Sequence, residues 1–173
     1  IFVGSNIISY AADDNNTNQS NVKFSSYFKD ENGNKITAKE SKYNQTEEYL
    51  YLQIEVQKEG YLLGNVTLEE GANFKLVSSD SEYVEKIENN IINLHNITSG
   101  GAVEIAVKIE PINEEKFDIG LLEVESKITL KGTYKDSTEK DKTVEATKKV
   151  SLKYADEINK ESIVNEIKPI TNK

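Results

Sequence analysis

Cysteine, methionine, tryptophan and arginine are all absent from the 173 residues, and histidine occurs once. Without cysteine there are no disulfides, thiol nucleophiles or thiolate metal sites. Every one of the 21 cationic residues is lysine. Arginine's planar fork is the usual tool for gripping phosphates and base edges, so an acidic chain of net charge -9 that lacks it is not expected to bind nucleic acid. The same negative charge is repelled by anionic lipid and favours solubility. A chain with no methionine reads as a fragment of a longer translation product. Its length suits one domain with tails, not two domains.

Long hydrophobic runs are missing too. The first twelve residues, I-F-V-G-S-N-I-I-S-Y-A-A, hold a short apolar run ending at Ile8, then the small residues Ser9, Ala11 and Ala12. The run is too short to span a bilayer and matches the distal half of a signal peptide. Residues 1–12 are therefore expected to be a signal-peptide remnant, with export and a mature start near Ala12 or Asp13; an edge strand or a buried N-terminal segment is the alternative. Residues 13–20, D-D-N-N-T-N-Q-S, read as a polar leader, and 155–173 as a linker to a downstream region, with helical character around 158–167.

Between the tails the dominant signal is alternation. In 102–109, A-V-E-I-A-V-K-I, Val103, Ile105, Val107 and Ile109 fall on one face and Glu104 and Lys108 on the other. Four buried aliphatics contribute roughly 6–12 kcal/mol as an upper estimate. The same pattern marks 49–58, with Leu50, Leu52, Ile54 and Val56 inward, and returns at 21–28, 61–69, 73–78, 91–94, 125–136 and 144–154. Asn32-Gly33 signals a tight turn with a short return strand at 35–38, followed by a polar loop at 39–48. Gly64 suggests a bulge, Gly132 an interruption, and Pro111 a strand end. Residues 80–90 are open between a helical turn and a bend, and 113–124 read as a long crossover. The expected fold is all-β, an antiparallel immunoglobulin-like sandwich of about seven to nine strands over residues 21–154 with flexible termini.

The stretch from Gly101 to Ile109, the string L-K-G-T-Y-K-D and the last strand V-E-A-T-K-K-V-S-L-K-Y resemble the second half of bacterial immunoglobulin-like modules. The first half, N-V-K-F-S-S-Y-F-K-D-E-N-G-N-K and Y-L-Y-L-Q-I-E-V-Q-K-E-G-Y-L, is similar to the N-terminal domain of large clostridial secreted or cell-wall proteins. The resemblance implies a non-enzymatic structural or adhesive role on the surface of a Gram-positive bacterium, extracellular and secreted or wall-attached. Its implied partners are other domains of the same chain and a host or cell-wall glycan or protein, with no membrane insertion after signal cleavage. The resemblance also implies a place for a Lys-Asn or Lys-Asp isopeptide bond, with Lys23 as donor and Asp156 as the available acceptor since no asparagine lies between Asn113 and Asn159, but Asp156 stands beyond the last apolar residue and the residues themselves read Lys23 as a solvated strand lysine.

Chemistry-bearing clusters are few, and no catalytic, cofactor or metal residue is assigned. His95 alone cannot build a zinc site and has no spaced nucleophile or acid. The oxygen-rich loops at Asp30-Glu31-Asn32-Gly33-Asn34, 136–141 and 79–82 are better candidates than His95, for calcium, but in the first the glycine comes two places early for a helix-loop-helix calcium loop and a hairpin turn explains it better. Tyr51, Tyr61 and Tyr83 are candidate sugar contacts, so a carbohydrate- or calcium-binding module is the alternative function. The N-x-S/T triplets at Asn15, Asn18, Asn44, Asn65 and Asn96 read as chance in an Asn-rich chain.

Overall fold

A computed structural model of the chain describes residues 21–42, 47–112, 122–138 and 140–155. The expected signal remnant, the leader, most of the crossover and the linker lie outside the described residues, as do Asp156, Asn15, Asn18 and Asn44.

Twelve strands follow in order: β1 (Val22–Lys29), β2 (Lys35–Ile36), β3 (Ala38–Ser41), β4 (Glu48–Val56), β5 (Tyr61–Leu68), β6 (Phe74–Ser78), β7 (Val84–Glu88), β8 (Ile91–Leu94), β9 (Ile97–Thr98), β10 (Gly101–Pro111), β11 (Glu123–Lys135) and β12 (Lys142–Tyr154). One sheet has the order β2-β1-β4-β10-β6 and the other β3-β12-β11-β5-β8-β7, with β9 also on β5. All pairings are antiparallel except β3 on β12. The fold is an open two-sheet β-sandwich, as the alternation predicts, and no helix occurs among the described residues.

The core lies between the sheets. Leu50, Leu52 and Ile54 of β4 meet Ile105 and Val107 of β10, and across the interface lie Leu62, Val66, Ile128, Leu130 and Leu152. Phe28 and Phe74 touch edge to face at 6.1 Å, near one end of the core. Val103 is only partly buried, because it stands where β10 has just left the positive-φ pair Gly100-Gly101.

The strand count exceeds the expected seven to nine because short segments pair where local sequence gives little sign. The expected polar loop at 39–48 contains β3, whose A-K-E-S has no apolar alternation and owes its conformation to parallel pairing with β12. Residues 80–90 hold neither a helical turn nor a simple bend but β7, which forms a hairpin with β8 through Asn89 (φ 53) and Asn90 (φ 61). Two consecutive left-handed residues are what a two-residue hairpin turn requires, and asparagine tolerates them. Gly64 is not a bulge, and Gly132 does not interrupt its strand: the two face each other in an unbroken ladder. A Cβ on Gly64 would sit 2.4 Å from the Lys131 carbonyl oxygen, and one on Gly132 would sit 2.2 Å from that of Leu63.

The registers also place the two ends of the sandwich. Val22 lies beside Val56, which lies beside Gly101; at this end the Tyr134 hydroxyl donates to the Glu59 carbonyl and Tyr134 pairs with Lys142, where β12 begins. At the other end Tyr154 pairs with Ser41, whose hydroxyl donates to Glu48, and Glu48 pairs with Ile109. The first strand thus starts at one end of the sandwich, and the last finishes at the other.

Candidate functional site

The outer face of the first sheet carries a network drawn from four strands. Alternation points Tyr27 and Lys29 of β1 outward, and with them Tyr49, Tyr51 and Gln53 of β4 and Glu104 of β10. Register sets Tyr27 beside Tyr51, Gln53 beside Glu104, and Tyr51 beside Ala106. The rings of Tyr27 and Tyr51 stack at 6.0 Å with an interplanar angle of 11°, and Tyr49 tilts against Tyr51 at 6.4 Å. Lys29 Nζ stands 4.3 Å from the Tyr51 ring centroid while pairing with Glu104 Oε1 at 2.8 Å. Lys35 Nζ lies 4.9 Å from the Tyr27 ring centroid and donates to Gln53 Oε1 at 2.6 Å. Such cation-ring contacts are worth about 0.5–1 kcal/mol each at exposed sites.

Under this cover Tyr27 is only 3 % exposed although it points away from the core. Its hydroxyl donates to Glu104 Oε2 and also lies 3.1 Å from Gln53 Oε1. Burial, then the hydrogen bond and charge of Glu104, push the phenol well above its ordinary range. Burial resists the ionisation of Glu104, but the hydrogen bonds from Lys29 and Tyr27 outweigh it and hold the carboxyl below its usual value. The bond to Glu104 in turn raises Lys29, against its own desolvation. A neutral Tyr27 phenol and a charged Lys29 thus both donate to a charged Glu104.

A second polar group closes the end where β12 finishes. Lys39 Nζ donates to Glu48 Oε1 at 2.6 Å and to the Lys29 carbonyl at 2.8 Å, and Ser41 Oγ donates to Glu48 Oε2 at 2.7 Å. Asn73 Nδ2 donates to the Leu152 carbonyl at 2.8 Å, and the Ala155 amide to the Ser41 carbonyl at 2.8 Å. These bonds tie β3 and β12 of one sheet to β1, β4 and the residue just before β6 of the other.

The loop expectations resolve one by one. Asp30 Oδ1 accepts the amides of Asn32 and Asn34 at 2.9 and 2.8 Å, and Oδ2 accepts Asn34 Nδ2 at 3.1 Å. These bonds, the Asn34 amide foremost, lower the Asp30 pKa. Its carboxylate organises the Asn32-Gly33 turn, where Gly33 has φ 83. Asp136 plays a similar part in the β11–β12 hairpin, accepting the amide and hydroxyl of Thr138 at 2.9 and 2.5 Å. Ser79 Oγ donates to the Ala106 carbonyl at 2.7 Å and accepts the Ser81 amide. Among the described residues no three His, Cys, Asp or Glu side chains gather as metal ligands do.

Of the candidate tyrosines only Tyr51 joins the network. Tyr61 is on β5 of the other sheet, and Tyr83 packs against the core. His95 is exposed, its backbone amide bonded to the Tyr83 carbonyl at 2.8 Å. Lys23 is exposed on the outer face at the start of β1, outside the core where a crosslinking lysine would lie. Asn65 is half-buried within β5, and Asn96 is exposed between β8 and β9. The chain matches no family model and no curated protein. Tyr27, Lys29, Lys35 and Glu104 carried no local sign of a shared site, because only the register of three long strands and one turn brings them together.

Proposed function

We propose that this domain is a non-enzymatic spacer and adhesive module of an extracellular bacterial surface protein, built to carry tension along its length. The observation that carries the reading is the placement of the first and last strands. β1 starts at one end of the sandwich and β12 finishes at the other. Tension applied at these two points pulls each strand along its own axis. All the ladder bonds of β1 to β4, and of β12 to β11 and β3, are then loaded together instead of opening one at a time. The parallel β3–β12 pair and the Lys39–Glu48–Ser41 group, held by bonds of 2.6–2.8 Å, brace the point where β12 leaves. The resemblance to bacterial immunoglobulin-like surface modules supplies the setting.

The test is single-molecule pulling. Handles at Val22 and Tyr154 should give a high unfolding force. Moving the second handle to Ser137, at the same end as Val22, should lower that force markedly, because β1 then peels from β4 from its end. Equal forces in the two geometries would overturn the load-bearing reading.

A further inference from the structure

The turn between β1 and β2 holds a chemistry that the spacer role does not use. Where glycine follows asparagine, the glycine backbone nitrogen can attack the asparagine side-chain carbonyl carbon, because glycine puts no Cβ beside that nitrogen. Asn32-Gly33 is the one such pair in the 173 residues. Both residues are exposed, and nothing lies within 4 Å of where a Gly33 Cβ would be. Neither burial nor crowding therefore keeps the two atoms apart.

Conformation does. The Gly33 amide donates to the Asp30 carbonyl at 3.0 Å, and neither Glu31 nor Asn32 between them has a positive φ. That is a type I turn, followed by Gly33 in the left-handed region at φ 83. Asn32 then has a ψ of about 0°, which turns the Gly33 nitrogen away from the Asn32 side chain. Closure needs rotation about the Asn32 Cα–C bond, and that rotation breaks the bond from Gly33 to Asp30. Asp30 resists it a second time. Its Oδ1 holds the Asn32 amide at 2.9 Å and the Asn34 amide at 2.8 Å, fixing the backbone on both sides of the reacting nitrogen. The Asp30 amide on the Asn34 carbonyl at 2.9 Å and the pairing of Phe28 with Ile36 clamp the base of the loop.

We infer that Asn32-Gly33 is a self-modification site that the folded hairpin holds shut and unfolding opens, with Asp30 as its positioning residue. In the step, the Gly33 nitrogen loses its proton and bonds to Asn32 Cγ, while the Cγ–N bond breaks and ammonia leaves. The product is a five-membered cyclic imide. One water then opens the ring at either carbonyl, giving aspartate or, with the backbone rerouted through the side chain, isoaspartate. The second product adds a backbone carbon to the loop that sets Lys29 opposite Lys35 and Phe28 opposite Ile36. A reacted chain must then reach the same register around a longer path.

The test follows Asn32 in the whole chain by peptide mapping, reading the Asp30–Lys35 fragment by tandem mass spectrometry. Samples are held at one pH and temperature, folded in buffer or unfolded in guanidinium chloride. Asn32 is expected to convert at least tenfold more slowly in the folded chain. Asp30→Ala, an exposed change that leaves the strands in place, should shrink that ratio at least threefold. Asp30→Asn, which keeps Oδ1 as an acceptor, should hold the ratio near its wild-type value. No conversion in the unfolded chain, or equal rates folded and unfolded, overturns the inference. A ratio unmoved by Asp30→Ala, or one that Asp30→Asn shrinks as much as Asp30→Ala does, overturns it as well.

Discussion

Glu104 is the residue on which the outer network turns, because it accepts from both Tyr27 and Lys29. Its folded pKa is depressed below the ordinary 4.5, so the stability it contributes is present above that value and is lost as pH falls through the folded pKa. Lys29, raised above 10.5, contributes stability below that value and loses it as pH climbs through the folded pKa. Glu104→Gln should therefore lower the melting temperature at pH 7 and flatten its fall below about pH 4.5, which thermal melts across pH would show. A melting curve of the variant that parallels wild type at acid pH would dismiss the role. The turn residues Asn89 and Asn90 permit a cleaner comparison. Both have positive φ, but only Asn90 also accepts the Leu76 amide through Oδ1, at 2.9 Å. Asn89→Gly should be neutral or slightly stabilising, whereas Asn90→Gly should cost about 1 kcal/mol in chemical denaturation, since the Leu76 amide loses its partner.

At the scale of elements, the strands that alternate over eight or more residues were legible. β4 and β10 run beside each other over nine paired positions with their aliphatics inward, as the pattern required. Ile105 is fully buried there, and Ile105→Asp should abolish the folded circular-dichroism signal, because an unpaired carboxylate in that core costs more than the domain's margin of stability. The short elements were not legible, for a physical reason: β3 and β9 are set by pairing with distant strands, and A-K-E-S or I-T has no periodicity to display. The glycines misled in a different way. A glycine inside a strand signals either a bulge or a close approach, and only the facing register of Gly64 and Gly132 decides for the approach. Gly132→Ala should destabilise by about 1–3 kcal/mol, near the upper end because the obstruction 2.2 Å away is backbone, and urea unfolding would measure it. The candidate site was half legible: Tyr51 stood out as an outward aromatic, but its partners belong to strands that meet it only in the folded sheet.

At the scale of the whole molecule, the sandwich is a block whose two outer faces differ in side-chain chemistry. The first sheet shows an aromatic, lysine-rimmed surface, while the second shows threonines in register across Thr67, Thr129 and Thr147, with Thr129 and Thr147 hydroxyls 2.9 Å apart. A depression of about 220 Å³ on the second face, lined by Thr67, Glu69, Thr129, Lys131 and Glu145, is partly open to solvent. The placement of β1 and β12 at opposite ends also fixes how much length the fold conceals. β12 has 13 residues, so the block stands about 43 Å tall at about 3.3 Å per residue. The roughly 130 residues from Val22 to Tyr154 would stretch to about 440 Å if drawn out. Unfolding the sandwich end to end would therefore lengthen the path between Val22 and Tyr154 by about 400 Å, roughly nine times the height of the folded block.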